Sequence, residues 1–140
     1  MTREPIYAAL FSLLANVAPF ITVSRKLMHW DDVSIGAQPA LFMAQRGETT
    51  QITRGLPTRW LLEVDIYIYV KTAGATAPAQ LINPLLDAIT TALAPSISPD
   101  YTQTLGGLAH HCWIEGRIET DEGTLGDQAV AIIPIRILVT

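Results

Sequence analysis

At 140 residues the chain has the length of one domain, enough to bury roughly two-thirds of its unfolded surface. Its net charge is −4 and its Lys and Arg residues form no cluster, which excludes general nucleic-acid binding. Hydrophobic residues make up 49% and charged residues only 16%. That balance fits either a generous internal core or apolar surface covered by a partner subunit.

No apolar run approaches the ~20 residues of a membrane helix. Met1 to Pro5 lacks a signal peptide's layout, because Glu4 and Pro5 interrupt it and helical periodicity follows at once. The single cysteine, Cys112, excludes an internal disulfide framework and fits a reducing cytoplasm. One domain over 1–140 is expected, with no internal repeat.

Thr2 is a plausible N-cap, with Glu4 and Pro5 in the first turn. Ile6, Leu10, Leu13, Leu14 and Val17 follow helical spacing, and Pro19 closes the element. Phe20 to Ser24 reads as a short strand, and Arg25 to Gln38 is mixed and polar. A strand over Pro39–Gln45 is expected next. In the segment Trp60 to Lys71, Leu62, Val64, Ile66, Ile68 and Val70 alternate with Glu63, Asp65, Tyr67, Tyr69 and Lys71. That period of two predicts a strand buried on one face.

Between these strands lies a polar arm, about 46–58, with no core of its own. A hairpin closes with about two to five loop residues, so the extra length points to contact with another molecule. The candidate interface residues are Arg46, Glu48, Gln51, Arg54, Arg59, Trp60, Tyr67 and Tyr69. Arg46, Arg54 and Arg59 could pair with carboxylates on a partner, or remain solvated. Trp60 opens the long strand beside the arm, and Trp is enriched at binding hot spots. Tyr67 and Tyr69, on the polar face, could meet a helix or a neighbouring subunit.

Ala73 to Pro78 is a small-residue linker into a second helix, where Leu81, Ile82, Leu85, Leu86, Ile89, Ala92 and Leu93 share a face. Pro84 leaves two starts open: Pro78 with a local kink, or an Asn83 cap with Pro84 at the first position. Pro95 to Gly107 reads as a loop. His110 to Ile118 alternates, with Cys112, Ile114, Gly116 and Ile118 on the expected inner face. A turn over Thr120–Asp127 leads into a nearly continuous apolar strand, Gln128–Thr140. Pro134 cannot donate to a ladder, so this strand should lie at a sheet edge or be broken there. An apolar edge would then call for covering by another copy. The expected class is α+β: a mostly antiparallel sheet with two helices on one face and a long β-hairpin arm.

Chemistry is sparse. His110, His111 and Cys112 form the one group resembling a metal or catalytic site, yet adjacent strand residues point to opposite faces. His110 and Cys112 could share a side, but a zinc site takes three or four protein ligands. His29, Asp31 and Asp32 could complete it only if the fold brought them there. The same geometry argues against a Cys–His nucleophilic pair. Asp31/Asp32 and Asp121/Glu122 read as solvated turn carboxylates, and Gly106-Gly107 is too little for a phosphate loop. The expectation is no catalytic residue, no metal and no cofactor.

The order of elements resembles the tail terminator proteins of long-tailed bacteriophages, the minor tail protein U family. The likeness rests on the N-terminal helix and on Pro39-Ala-Leu-Phe42 preceding a long arm. It continues through Tyr67-Ile-Tyr-Val70, Leu85-Leu-Asp-Ala-Ile89 and Gly126-Asp-Gln-Ala-Val-Ala-Ile-Ile-Pro-Ile-Arg-Ile-Leu-Val139. The resemblance implies a virion protein, made in the host cytoplasm, that forms a hexameric ring on the head-proximal end of the tail. It would contact the tail tube protein and a head–tail connector or neck protein, with no membrane partner. DNA would pass through its lumen without specific binding. In that setting the arm would touch the tube or a neighbouring subunit, and the Trp60–Lys71 strand would help build the ring wall. Two alternatives stay open: a head completion or neck protein, and a small metal-dependent enzyme using His110, Cys112 and perhaps His29.

Overall fold

A computed structural model describes residues 1–95, 100–124 and 126–140. Helix α1 spans Arg3–Ala15 and buries Ile6, Tyr7, Leu10 and Leu14 along one stripe. Thr2 stands at the N-cap in extended conformation, but its side chain makes no capping bond. At the other end Asn16 Nδ2 donates to the Ser12 carbonyl at 2.7 Å, satisfying an acceptor the helix leaves open. A short strand, β1 (Thr22–Ser24), then runs parallel to β2 (Ala40–Gln51). Between them the chain makes two single-turn 3₁₀ segments, Trp30–Asp32 and Ile35–Ala37.

The expected arm is itself sheet. β2 continues to Gln51 and pairs antiparallel with β3 (Arg59–Lys71), from Ala40 opposite Tyr69 to Gln51 opposite Arg59. The register shifts between Gln45 and Gly47, which makes Arg46 a bulge residue. Thr49 and Thr50, both β-branched, suit this extended stretch despite their polarity. Only residues 52–58 remain as loop.

β6 (Gly126–Val139) pairs with β3 along nearly its whole length, from Trp60 opposite Val139 to Lys71 opposite Gln128. The strand order is β1-β2-β3-β6-β4, with β5 (Glu119–Gly123) also on β6. β4 is His111–Ile114. The apolar C-terminal strand is therefore interior, which corrects the edge expectation. Nor is the strand broken at Pro134: β6 runs through it and stays paired with β3, and the interruption falls on the neighbouring ladder instead. Pro134 lies between the β6 residues paired to β4 and those paired to β5. Its carbonyl accepts from Glu115 N at 3.1 Å, so its ring nitrogen faces the same side, where the partner strand leaves the ladder. Gly116, at φ +95, carries the chain past the proline ring. The single strand expected over His110–Ile118 is thus cut at Ile114. The reversal after it is also tighter: Thr120–Gly123 belong to β5, and Gly126 and Asp127 to β6. Leu125, and Ser96 to Pro99 of the expected loop, lie outside the described residues.

Helix α2 spans Pro78–Ala92. Pro78 occupies its first position, and Gln80 Oε1 accepts from Ala77 N at 3.1 Å, so the earlier start wins. Pro84 is accommodated inside because it sits on the solvent side, where water can serve the freed carbonyl. Leu81 shares that solvent side and is exposed, contrary to the expected face.

Both helices cover the same face of the sheet. Ile6, Tyr7, Leu10 and Leu14 from α1, with Ile82, Leu85 and Ile89 from α2, pack on β3 and β6. The β3 side chains are Leu62, Val64, Ile66, Ile68 and Val70; Ile133, Ile135 and Ile137 come from β6. Each such side chain contributes about 1.5–3 kcal/mol through burial. On the opposite face a small second cluster joins Val33, Ala40, Phe42 and Tyr69. This is an α+β fold with one thick side and one nearly bare side.

Candidate assembly surface: the hairpin arm and the bare sheet face

The outer half of the β2–β3 hairpin projects beyond the part of the sheet that β1 borders, and contacts on both faces hold its base. On the helix side, Arg3 Nε donates to Glu48 Oε2 at 2.8 Å and Tyr7 OH donates to Glu48 Oε1 at 3.1 Å. The Arg3 guanidinium lies over the Trp60 ring, 4.9 Å from its centroid. Trp60 packs against the main core. Burial, then the Glu48 carboxylate beside it, pushes the Tyr7 phenol up to about 12. On the other side Arg46 Nε donates to Asp65 Oδ2 at 2.8 Å and stacks over Tyr67 at 5.3 Å. Arg46 and Glu48 thus have their ionic partners within this chain.

The tip differs. Gln51, Ile52, Arg54 and Leu56 are all exposed, Ile52 to 81% and Leu56 to 58%. Leu56 N donates to the Thr53 carbonyl at 3.0 Å across a turn whose third residue, Gly55, has φ +81. Ile52 and Leu56 flank Arg54 in sequence at this turn. Among the described residues Arg54 and Arg59 enter no ion pair.

The two tyrosines part company. Tyr69 is buried by the chain itself: its hydroxyl donates to the Met28 carbonyl at 2.7 Å and its ring meets Phe42 at 5.4 Å. Tyr67 is half-buried, and both tyrosines line an apolar groove of about 390 Å³ with Leu27, Met28, Trp30, Val130 and Ile132. A second groove of about 620 Å³ shares Trp30, Val130 and Ile132 and reaches Arg117, Glu119 and Asp121. The alternation of β3 made Tyr67 legible as a surface residue. Trp30, like Trp60 and Trp113 a core or interface anchor by residue type, was the one sequence pointer to the groove. Leu27, Met28 and Trp30 come from the segment without periodicity.

The histidine–cysteine triplet is dispersed. Cys112 points into the main core, where burial pushes its thiol up to about 12. His111 stacks on Trp113 at 5.0 Å, and its Nδ1 accepts from Gln103 N at 3.1 Å. His110 Nε2 lies 2.6 Å from Thr140 Oγ1. His29 Nδ1 accepts from Asp31 N at 3.2 Å, capping its own 3₁₀ turn. Among the described residues no three His, Cys, Asp or Glu side chains are grouped to hold a metal ion. No helix among them is long and apolar enough to cross a membrane.

No protein-family model matches the chain, and no curated protein sequence matches it. Among solved structures it is similar to a chain from the virion of a native gene transfer agent particle. The TM-score is 0.56 at 11% sequence identity, covering 99% of this chain and 98% of that one. At that identity the likeness is one of fold, and it spans the whole domain.

Proposed function

We propose that this chain is a structural subunit of a phage-like virion that caps the head-proximal end of a tail tube. The observation carrying this reading is the end-to-end fold likeness to a chain of a gene transfer agent virion. The exposed hairpin tip and the dispersal of His110, His111 and Cys112 favour a contact function over catalysis. The resemblance to tail terminators supplies the finer role. Copies associate head to tail into a closed ring, as a hexamer, and closure saturates the lateral interface. One face of the ring copies the tube's stacking surface and the other does not, so polymerisation stops by geometry. The second face then receives a connector or neck protein, and DNA traverses a lumen to which a net charge of −4 per copy gives no attraction.

Electron microscopy of tails assembled without this protein tests the reading. Overlong tubes are expected. Tails of normal length with unattached heads would instead assign it to the neck, and properly joined particles would overturn both roles.

A further inference from the structure

The bare sheet face carries two rows of side chains running across β3, β6 and β5. One is Tyr67, Ile132 and Glu119; the next is Tyr69, Val130 and Asp121. Directly opposed residues in a sheet share a face, so an apolar strip ends in two carboxylates. Glu122, one step on, belongs to the other face, where its carboxylate accepts from Ala79 N at the start of α2. Arg117 lines the same groove as Glu119 and Asp121, and among the described residues no ion pair involves any of the three. The segment holding Leu27, Met28 and Trp30 forms the opposite wall. The two adjoining grooves, which share Trp30, Val130 and Ile132, are therefore apolar where they meet, with Arg46 over Tyr67 at one side and Glu119, Asp121 and Arg117 at the other.

The hairpin tip has the complementary layout, with exposed Ile52 and Leu56 flanking Arg54. It cannot serve its own groove. Trp60 and Tyr67 are seven residue steps apart on β3, about 23 Å of strand at ~3.3 Å per residue, and the tip lies farther out still. We propose that the groove receives the hairpin tip of a second copy of this chain. Ile52 and Leu56 lie against Tyr67, Val130 and Ile132, and Arg54 faces Glu119 and Asp121. Each copy keeps one tip and one groove, so the contact is heterologous and propagates head to tail. The inference rests on the proposed assembly role for the setting in which copies meet. A contact this small is weak in dilute solution and gains strength from repetition around an assembly.

Engineered disulfides test it on the full chain. Ile52→Cys protein is mixed with Ile132→Cys protein under mild oxidation, and the linked peptides are identified by mass spectrometry. Glu119→Cys, at an exposed position, replaces the second variant if Ile132→Cys misfolds. A link from 52 to the groove cysteine is expected. It should form about tenfold more slowly when the tip chain also carries Arg54→Glu, and recover when the groove chain carries Asp121→Arg. Equal rates with and without Arg54→Glu, preferential 52-to-52 linking, or no link at all would overturn the inference. So would capture of the tip by tube protein when isolated tails are added. The tail-length experiment reads independently: overlong tubes without the groove link sink only this docking mode, whereas the link with normal tails sinks only the terminator role.

Discussion

Tyr7 ties the arm to the body through one phenol. Its pKa, lifted from 10.0 to about 12 first by burial and then by Glu48, means that the folded state disfavours tyrosinate. Stability from this group is therefore complete below pH 10 and lost as pH climbs through about 12. Tyr7→Phe should flatten the alkaline decline of thermal stability in that window. In Glu48→Gln protein the latest step of the ultraviolet tyrosinate titration should move down while staying above 10, because burial remains. Cys112 offers a second residue-scale check. Its buried thiol, also held near 12, should resist a thiol reagent at pH 8 in native protein and react at the rate of unfolding. Labelling within seconds of mixing would contradict the burial. Single residues were unevenly legible in the sequence. Alternation identified the inner face of β3 because a strand's geometry imposes it. The same alternation put Tyr69 with Tyr67, and both line one groove, but the segment around Met28 buries Tyr69 and leaves Tyr67 half-exposed. That is a tertiary event without a local signal.

At the level of elements, apolar spacing located both helices, and the conflicts arose where proline met packing. Leu81 and Ile89 both fit the helical face expected for α2, yet the structure exposes one and buries the other. Ile89→Ala should cost about 2–5 kcal/mol in denaturant unfolding, as core truncations do. Leu81→Ala should stay within about 0.5 kcal/mol. Comparable losses at both sites would mean that α2 is rotated about its axis. Pro134 shows a rule that was sound while its first application failed. Proline needs a side without a ladder bond, and an interior strand supplies one where β4 and β5 part around Gly116. Gly116→Ala forces a β-carbon onto a φ of +95 and should destabilise by about 1–2 kcal/mol, read as a lowered unfolding midpoint. The polar composition of residues 46–51 hid the extension of β2, because those side chains lie beyond the core's edge and alternation of hydrophobicity lapses there.

For the whole molecule, the proposed docking assigns folding and assembly to different parts. The core lies between the helices and the sheet, while the tip beyond Gln51 and Arg59 touches none of it. Gln51 and Arg59 are directly opposed, so replacing residues 52–58 with Asn-Gly closes the hairpin through a two-residue turn. The shortened chain loses two solvent-exposed aliphatic side chains and no core contact, and a shorter loop has a smaller closure entropy. Its unfolding free energy should therefore equal or slightly exceed that of the full chain. If the tip enters a neighbour's groove as proposed, ring formation on tails should nevertheless fail, because every copy lacks that element. Subunit counts on isolated tails, set beside unfolding curves of the same protein, read both quantities at once. A shortened chain that unfolds early would mean that the tip serves stability. One that still closes rings would place the lateral contact elsewhere on the sheet.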